Sequence, residues 1–479
     1  MEPIFCLYLL GMFRMLRYIV DGRELKRLLV LMLPLYVANL MNMGMGVVDT
    51  VVAGKAGADQ LAGVALGTSV TVPIMVAVGA VLTIIGPMVS RLRGAGAEGK
   101  VGLLLNNAKL LACLLMLVEV VALLAGAYVF PLVSDDAAMV KIAQDYLYFL
   151  VLAVPASVLM RALQGHFEGY GHTRPAMLIS FIGLILNIPL NYIFVFGWGP
   201  IPAMGGAGCG LTTALIHYLM AAALLVLMAV YPRYRRNMLH MWAHRRPEWS
   251  VIRDIFYKGL PLGVASLCEM SFFCVVTLVI APLGVLAVGA HQIAINVSAV
   301  LFMFPLSLSI ASSIRSAYHV GAHDARSFNA LVRTSITFML VVILLSAVLT
   351  IIFRREIVML YTEDVSIIEL ASGLLLLCAV YQLSDAVQAL MSGLLRGCHD
   401  TQAITWVNMF SYWVIGFPLA CLLIRTDVLV PAMGPAGAWV SFVVALTITA
   451  VLLSWRFVHA CRRIFEKMQG RGEKSRYFA

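Results

Sequence analysis

Twelve stretches of about 20 mostly apolar residues run through this chain of 479, and a stretch of that length crosses a bilayer as a helix. They centre near Pro34, Met75, Leu115, Ala153, Leu184, Ala221, Leu267, Phe302, Leu340, Leu377, Ile415 and Leu446. The runs are continuous, whereas barrel strands alternate in polarity over about ten residues. Gly44, Gly46, Pro73, Pro155, Pro189, Pro261, Pro305 and Pro418 fall inside them. Such residues weaken a soluble helix, but in a membrane bundle neighbouring groups satisfy the freed backbone. The chain is 62% hydrophobic and 12% charged, against roughly a quarter charged in soluble domains. That balance excludes a secreted disulfide scaffold, a disordered protein and a cytosolic enzyme. It predicts an all-α polytopic membrane protein with twelve transmembrane helices.

The charges that remain predict an orientation. Of 34 Lys and Arg, one side of twelve spans takes only Lys55, Lys141, Arg354, Arg355 and Arg425, and Lys109 falls inside a span. The rest are assigned to the termini and the even-numbered connections, so the positive-inside rule places both termini in the cytoplasm. The net charge of +10 then reflects topology and attraction to the lipid surface, with no nucleic-acid partner implied. The apolar segment Met1–Phe13 is too short to span. It lacks a basic region before it and a small-residue cleavage site after it, so no signal peptide is expected. The nine cysteines are scattered without a CxxC, and neither a disulfide nor a metal cluster is expected of them.

The halves of the chain resemble each other. LPLYVANL with Pro34 matches LPLGVASL with Pro261, 227 residues on. EGYGHTRPA with Gly169 and Thr173 matches RGCHDTQA with Gly397 and Thr401, 228 on, and GGAG from Gly205 matches GPAG from Gly434, 229 on. Six spans per half is an even number, so both halves enter from the same side. They form parallel repeats related by a pseudo-two-fold axis along the membrane normal, an arrangement that serves alternating access. The expected organisation is an N-terminal cytoplasmic or interfacial segment (1–25), an N-lobe (26–232), a basic cytoplasmic linker (233–250), a C-lobe (251–460) and a basic cytoplasmic tail (461–479).

An ionisable group inside the hydrocarbon is costly and marks function by default. Asp49 ends the first span, Glu269 lies in the seventh, Asp385 in the tenth, and Glu119 and Lys109 in the third. Tyr381 precedes Asp385 by four residues and shares its helix face. Glu269 and Asp385 lie at similar depth, and two carboxylates together in low dielectric must bind a cation or share a proton. Na⁺ and H⁺ both suit that pair. In the first lobe Asn187 and Asn191 are also spaced by four and are positioned to join Asp49. The second half has Gly416 and Ala420 at the matching places, so the lobes differ in chemistry, one acidic and one amide-rich. Met41, Met43 and Met45 alternate in span one, a flexible surface suited to varied apolar ligands.

These residues carry a resemblance. VVDTVVAGKAGADQLAGVALG, EGYGHTRPAMLISFIGLILNIPLNYIFVFG, GGAGCGLTTA, GAHQIAINVSAVLFMFPLSLSIASSIR and YQLSDAVQALMSGLLRGCHDTQ resemble the multidrug and toxic compound extrusion (MATE) family, and its NorM-type bacterial branch. The likeness covers about Leu33 to Ala450. It implies a cation antiporter of the cell inner membrane, a monomer in two six-helix lobes, that exports lipophilic and often cationic drugs, including antibiotics. It implies no cofactor beyond a coupling ion, Na⁺ or H⁺. Glu269, Tyr381 and Asp385 resemble the family's second-lobe cation site, with Glu269 and Asp385 as Na⁺ ligands. Asp49 resembles the first-lobe acid linked to protonation and drug release, and Asn187 and Asn191 resemble positions lining that lobe. The likeness departs at Asn191, where other branches carry Asp within a first-lobe Na⁺ motif.

Two other readings differ in kind. A flippase for lipid-linked precursors belongs to the same superfamily, but few cations stand in the spans to hold a pyrophosphate. An intramembrane enzyme would need a motif such as HExxH or GxSxG, and no span contains one, so no catalysis is expected. GAGAEGKV, from Gly94, has Val101 where a phosphate loop needs Ser or Thr.

Overall fold

The computed structural model describes residues 20–133, 136–242, 246–427 and 431–476, without side-chain detail beyond 464. The Met1–Phe13 segment and Cys6 lie outside them. Among the described residues twelve helices are long and apolar enough to cross a membrane. They are α1 (Gly22–Ala56), α2 (Ala58–Gly94), α3 (Glu98–Leu132), α4 (Ala137–Gly169), α5 (Arg174–Phe196) and α6 (Ala207–Val230) in the first half. A short linker helix, α7 (Pro232–Trp242), follows. The second half holds α8 (Trp249–Leu283), α9 (Val285–Ala322), α10 (Ala325–Ile352), α11 (Val365–Gly397), α12 (Thr401–Arg425) and α13 (Pro435–Arg476). Each span centre read from the sequence falls inside one of these helices. The helical solution is forced, because only an α-helix satisfies its own backbone hydrogen bonds without water.

Two compact units result, Pro34–Leu267 on the one hand and Met1–Leu33 with Cys268–Ala479 on the other. Their boundaries fall inside α1 and α8. The first turns of α1 belong to the second unit: Asp21 N donates to Thr334 Oγ1 at 3.0 Å, and buried Glu24 takes an ion pair of 2.5 Å from Arg315.

In each unit the fourth spanning helix is the hub. In the first, α4 packs on α2, α3 and α6, and in the second, α11 packs on α9, α10 and α13. Both hubs start with the same cap. The Asp136 carboxylate accepts from Ala138 N and Met139 N, and 228 residues on Asp364 accepts from Ser366 N and Ile367 N. Both hubs also end in a GxxxG seam, GHFEG at Gly165 and Gly169 and GLLRG at Gly393 and Gly397. A Cβ on Gly169 would stand 2.7 Å from the Gly86 carbonyl of α2, and one on Gly397 would stand 2.5 Å from the Ser313 carbonyl of α9. The helices therefore meet backbone to backbone, and only Gly admits that approach.

The turns repeat as well. Left-handed backbone recurs at Gly57 and Gly284, Gly96 and His323, Gly171 and His399, and Gly205 and Gly434, each pair 227 to 229 residues apart. The duplication read from short sequence matches thus extends to caps, seams and turn conformations. Inside the second unit α12 departs from its counterpart α5. Residues Phe410–Gly416 form a π-helical turn just before Pro418, whereas α5 stays regular around the matching Pro189.

Candidate functional site

The first unit brings Asp49, Asn187 and Asn191 together. Asp49 sits near the end of α1 with its side chain buried, and the two asparagines lie one turn apart on α5, buried at 1% and 0% exposure. Asn191 Nδ2 donates to Asp49 Oδ1 at 2.6 Å and Asn187 Nδ2 to the same oxygen at 3.1 Å. Thr213 Oγ1 of α6 donates to Oδ2 at 3.3 Å. Among the described residues no cation pairs with Asp49, so three neutral donors carry its charge. The side-chain oxygens of both asparagines are buried and have no hydrogen-bond partner. If both amides turned over, the cluster would offer oxygens where it now offers N–H groups. The residues present therefore fit a hard cation or a proton, at the cost of that rearrangement.

Beside Asp49 lies a cavity of about 290 Å³ inside this unit. Met45, Met75, Met160 and Met220 line its apolar wall, and Arg161, Gln164 and His217 its polar one. Of the alternating methionines of α1, Met45 reaches the wall. Arg161 was counted with the loop charges in the sequence, yet α4 carries it eight residues before the helix end. Glu119 of α3, 2% exposed, lies within reach of the Arg161 charge. The sequence did not reveal that a cation stands near Glu119.

The second unit brings Glu269, Tyr381 and Asp385 together. Tyr381 and Asp385 share one face of α11 and are buried at 5% and 4% exposure. Glu269 of α8 is half-buried, and its charge and that of Asp385 act on each other and on the Tyr381 hydroxyl. An aromatic wall, which sequence reasoning missed, surrounds Tyr381. Its ring centroid lies 5.5 Å from that of Trp439 and 6.4 Å from those of Phe273 and Phe442. Behind these rings Phe272 stacks on Tyr412 of the π-helical turn at 5.4 Å. The indole N–H of Trp439 is buried without a partner. Glu269 and Asp385 thus act on each other beside a cluster of aromatic rings.

Lys109 is not part of either cluster. Its ammonium bonds the Met241 carbonyl of the linker helix at 2.8 Å. Outside the spans His172 lies between α4 and α5, and its Nδ1 meets Tyr234 Oη at 2.6 Å. Partial burial and then the charges of Arg233 and Arg93 hold this imidazole below its ordinary pKa.

The MatE family model matches residues 34–193 and again 261–422, the same 227-to-229-residue interval as the internal repeats. The multidrug resistance protein MdtK of Pectobacterium atrosepticum is 37% identical over 446 residues, 92% of this chain and 96% of that protein. A homologue of the same name from Yersinia pseudotuberculosis is 36% identical over the same shares. Among solved structures, the eukaryotic MATE transporter AtDTX14 superposes with a TM-score of 0.84 at 20% identity, over 94% of this chain and 100% of that one. A multidrug resistance MATE family transporter in an outward-facing conformation gives 0.81 at 18% identity, over 95% and 98%. With more than half of its length inside the family model and its repeats in the family's register, the chain belongs to the MatE family of twelve-helix transporters.

Proposed function

We propose that the protein is a multidrug efflux transporter of the cell inner membrane, driven by antiport of Na⁺ or H⁺, with both termini in the cytoplasm. The observation that carries the reading is the pairing of two buried acidic sites, one per lobe, with an apolar methionine-lined cavity beside one of them. A relative covering 92% of the chain bears the name multidrug resistance protein MdtK, which supports the substrate class. Glu269 and Asp385 take the coupling cation, with Tyr381 and the aromatic wall around it. Asp49 takes a proton or cation when Asn187 and Asn191 turn their oxygens inward. A lipophilic cation enters the cavity of the first lobe and is released when Asp49 is neutralised. Cation and drug favour different states of an alternating-access cycle, so each promotes release of the other.

Transport of a fluorescent organic cation in proteoliposomes tests this, with Na⁺ and H⁺ gradients imposed one at a time. Flux that rises under one gradient and collapses when that gradient is dissipated is expected. Flux that ignores both refutes antiport.

A further inference from the structure

The linker helix α7 is held against the first unit by one face. Tyr234, Asn237 and Met241 are buried, and Asn237 Nδ2 donates to Tyr170 Oη at 2.9 Å. Just beyond the helix Glu248 N donates to Asn107 Oδ1 at 2.9 Å. The opposite face is exposed and two-sided in character. Arg235, Leu239 and Trp242, spaced by four and three, form one stripe, with Arg236 beside it. Leu239 is 58% and Trp242 52% exposed. A short helix with basic and large apolar residues on its free face lies in the plane of a membrane interface.

Beneath the end of this helix is an apolar crevice of about 180 Å³ between α3 and α4. Met116, Pro155, Leu159 and Leu163 line it, and Lys109 and Trp242 stand at its mouth. Lys109 is about 12 Å along α3 from Val101, and helical Cα–Cβ bonds tilt toward the helix start, so its side chain runs back toward α7. Its ammonium meets the Met241 carbonyl and the Trp242 ring face, 5.2 Å from the centroid. Among the described residues no carboxylate pairs with it. A half-buried ammonium held by one carbonyl and one ring keeps donor capacity for an anion. Below it the exposed face of α3 stays apolar through Leu110, Leu114 and Leu117.

We propose that this crevice binds one anionic phospholipid, its phosphate on Lys109, its glycerol level with Trp242 and one acyl chain against Met116 and Leu159. Charge selects the occupant. The apolar crevice accepts any chain, but among the described residues that line it the one formal charge is positive, and the helix covering it adds exposed arginines, the arrangement that retains acidic headgroups between spanning helices. The site is separate from the Asp49 and Glu269 clusters. It ties the linker helix to the bilayer through a lipid as well as through protein contacts.

Native mass spectrometry of the full-length, delipidated protein tests the assignment with phosphatidylglycerol and phosphatidylcholine of equal chain length. Wild type is expected to retain phosphatidylglycerol at least tenfold better than phosphatidylcholine. Lys109→Gln is expected to erase that preference and Lys109→Arg to keep it, while Leu159→Trp fills the crevice and lowers retention of both lipids. Inorganic phosphate at millimolar concentration is expected not to displace the lipid; displacement would assign the site to the free anion. A photoactivatable phosphatidylglycerol on wild-type protein makes the test independent of any variant's folding. Label concentrated in 105–116 or 155–163 supports the site. Label confined to other segments, or an undiminished preference in Lys109→Gln, overturns it.

Discussion

Asn191 gives Asp49 its shortest hydrogen bond, 2.6 Å from Nδ2 to Oδ1, and leaves its own side-chain oxygen buried and unpartnered. The pair therefore presents a donor, not an acceptor, to the Asp49 carboxyl. Replacing the donor by an acceptor reverses this. In Asn191→Asp two carboxylates face each other at hydrogen-bond distance and must share a proton or a cation. The expected outcome is efflux with a steeper dependence on Na⁺ concentration, read as initial drug flux in proteoliposomes. An identical Na⁺ dependence in variant and wild type would remove the cation role from this cluster.

In the other lobe, Glu269→Gln and Asp385→Asn each delete one of the paired charges and keep the side-chain shape. Both are expected to lower cation-driven efflux by at least tenfold while the protein is still made and inserted. Drug resistance of cells carrying each variant, normalised to membrane-fraction immunoblots, checks this. Normal resistance in both would sink the assignment.

Arg161 and Glu119 are expected to be coupled. Arg161→Met leaves Glu119 buried without its neighbouring cation, and Glu119→Gln leaves Arg161 with the Glu168 charge alone. Combining them should cost less than the sum of the single changes, with a coupling on the order of 1 kcal/mol. Thermal unfolding of the purified protein in one detergent provides the cycle, and strict additivity would show that the two charges act independently.

The seams predict where the scaffold fails. Gly169→Val and Gly397→Val force a side chain into a backbone contact, so each is expected to destabilise by about 1–3 kcal/mol or more. Gly22→Ala and Gly99→Ala, where nothing lies within 4 Å of the added carbon, serve as neutral controls. Melting temperatures of the four proteins are the readout, and equal values for all four would refute the seam.

His172 gives a pH dependence away from the spans. Partial burial, with Arg233 and Arg93 nearby, favours the neutral ring that meets Tyr234. The unfolded chain binds a proton near pH 6.5 and the folded one at lower pH. The stability linked to this group is thus present above 6.5 and is lost as pH falls below it. The protection factors of amides in Pro232–Trp242 are expected to fall between pH 7 and pH 5, and His172→Asn should flatten that response.

Much of the fold was legible because hydropathy acts along the chain. A run of apolar residues has to cross the membrane wherever its partners are, so twelve centres read from sequence fall in twelve helices. The clusters were legible where cost marked them, as with Asp49, Glu269 and Asp385, carboxylates in hydrocarbon. Arg161 escaped because charges were assigned by connection, and a residue one or two turns inside a helix counts with the loop beyond it. Trp439, Phe442 and Tyr412 escaped because an aromatic residue in an apolar run carries no signal of its own. They become a wall only once α11, α12 and α13 have packed.

The two glycine seams divide each lobe into surfaces with different freedom. Where α4 meets α2 and α11 meets α9 the glycines face Ile85, Val89, Ser309 and Ser316 and the backbone beside them, so neither joint has room for an added side chain. Variation is pushed to the faces that line the cavity, where Met45, Met75 and Met220 can be exchanged without disturbing a joint. Changes in what the cavity accepts are therefore expected at its methionine wall, with both glycine seams kept.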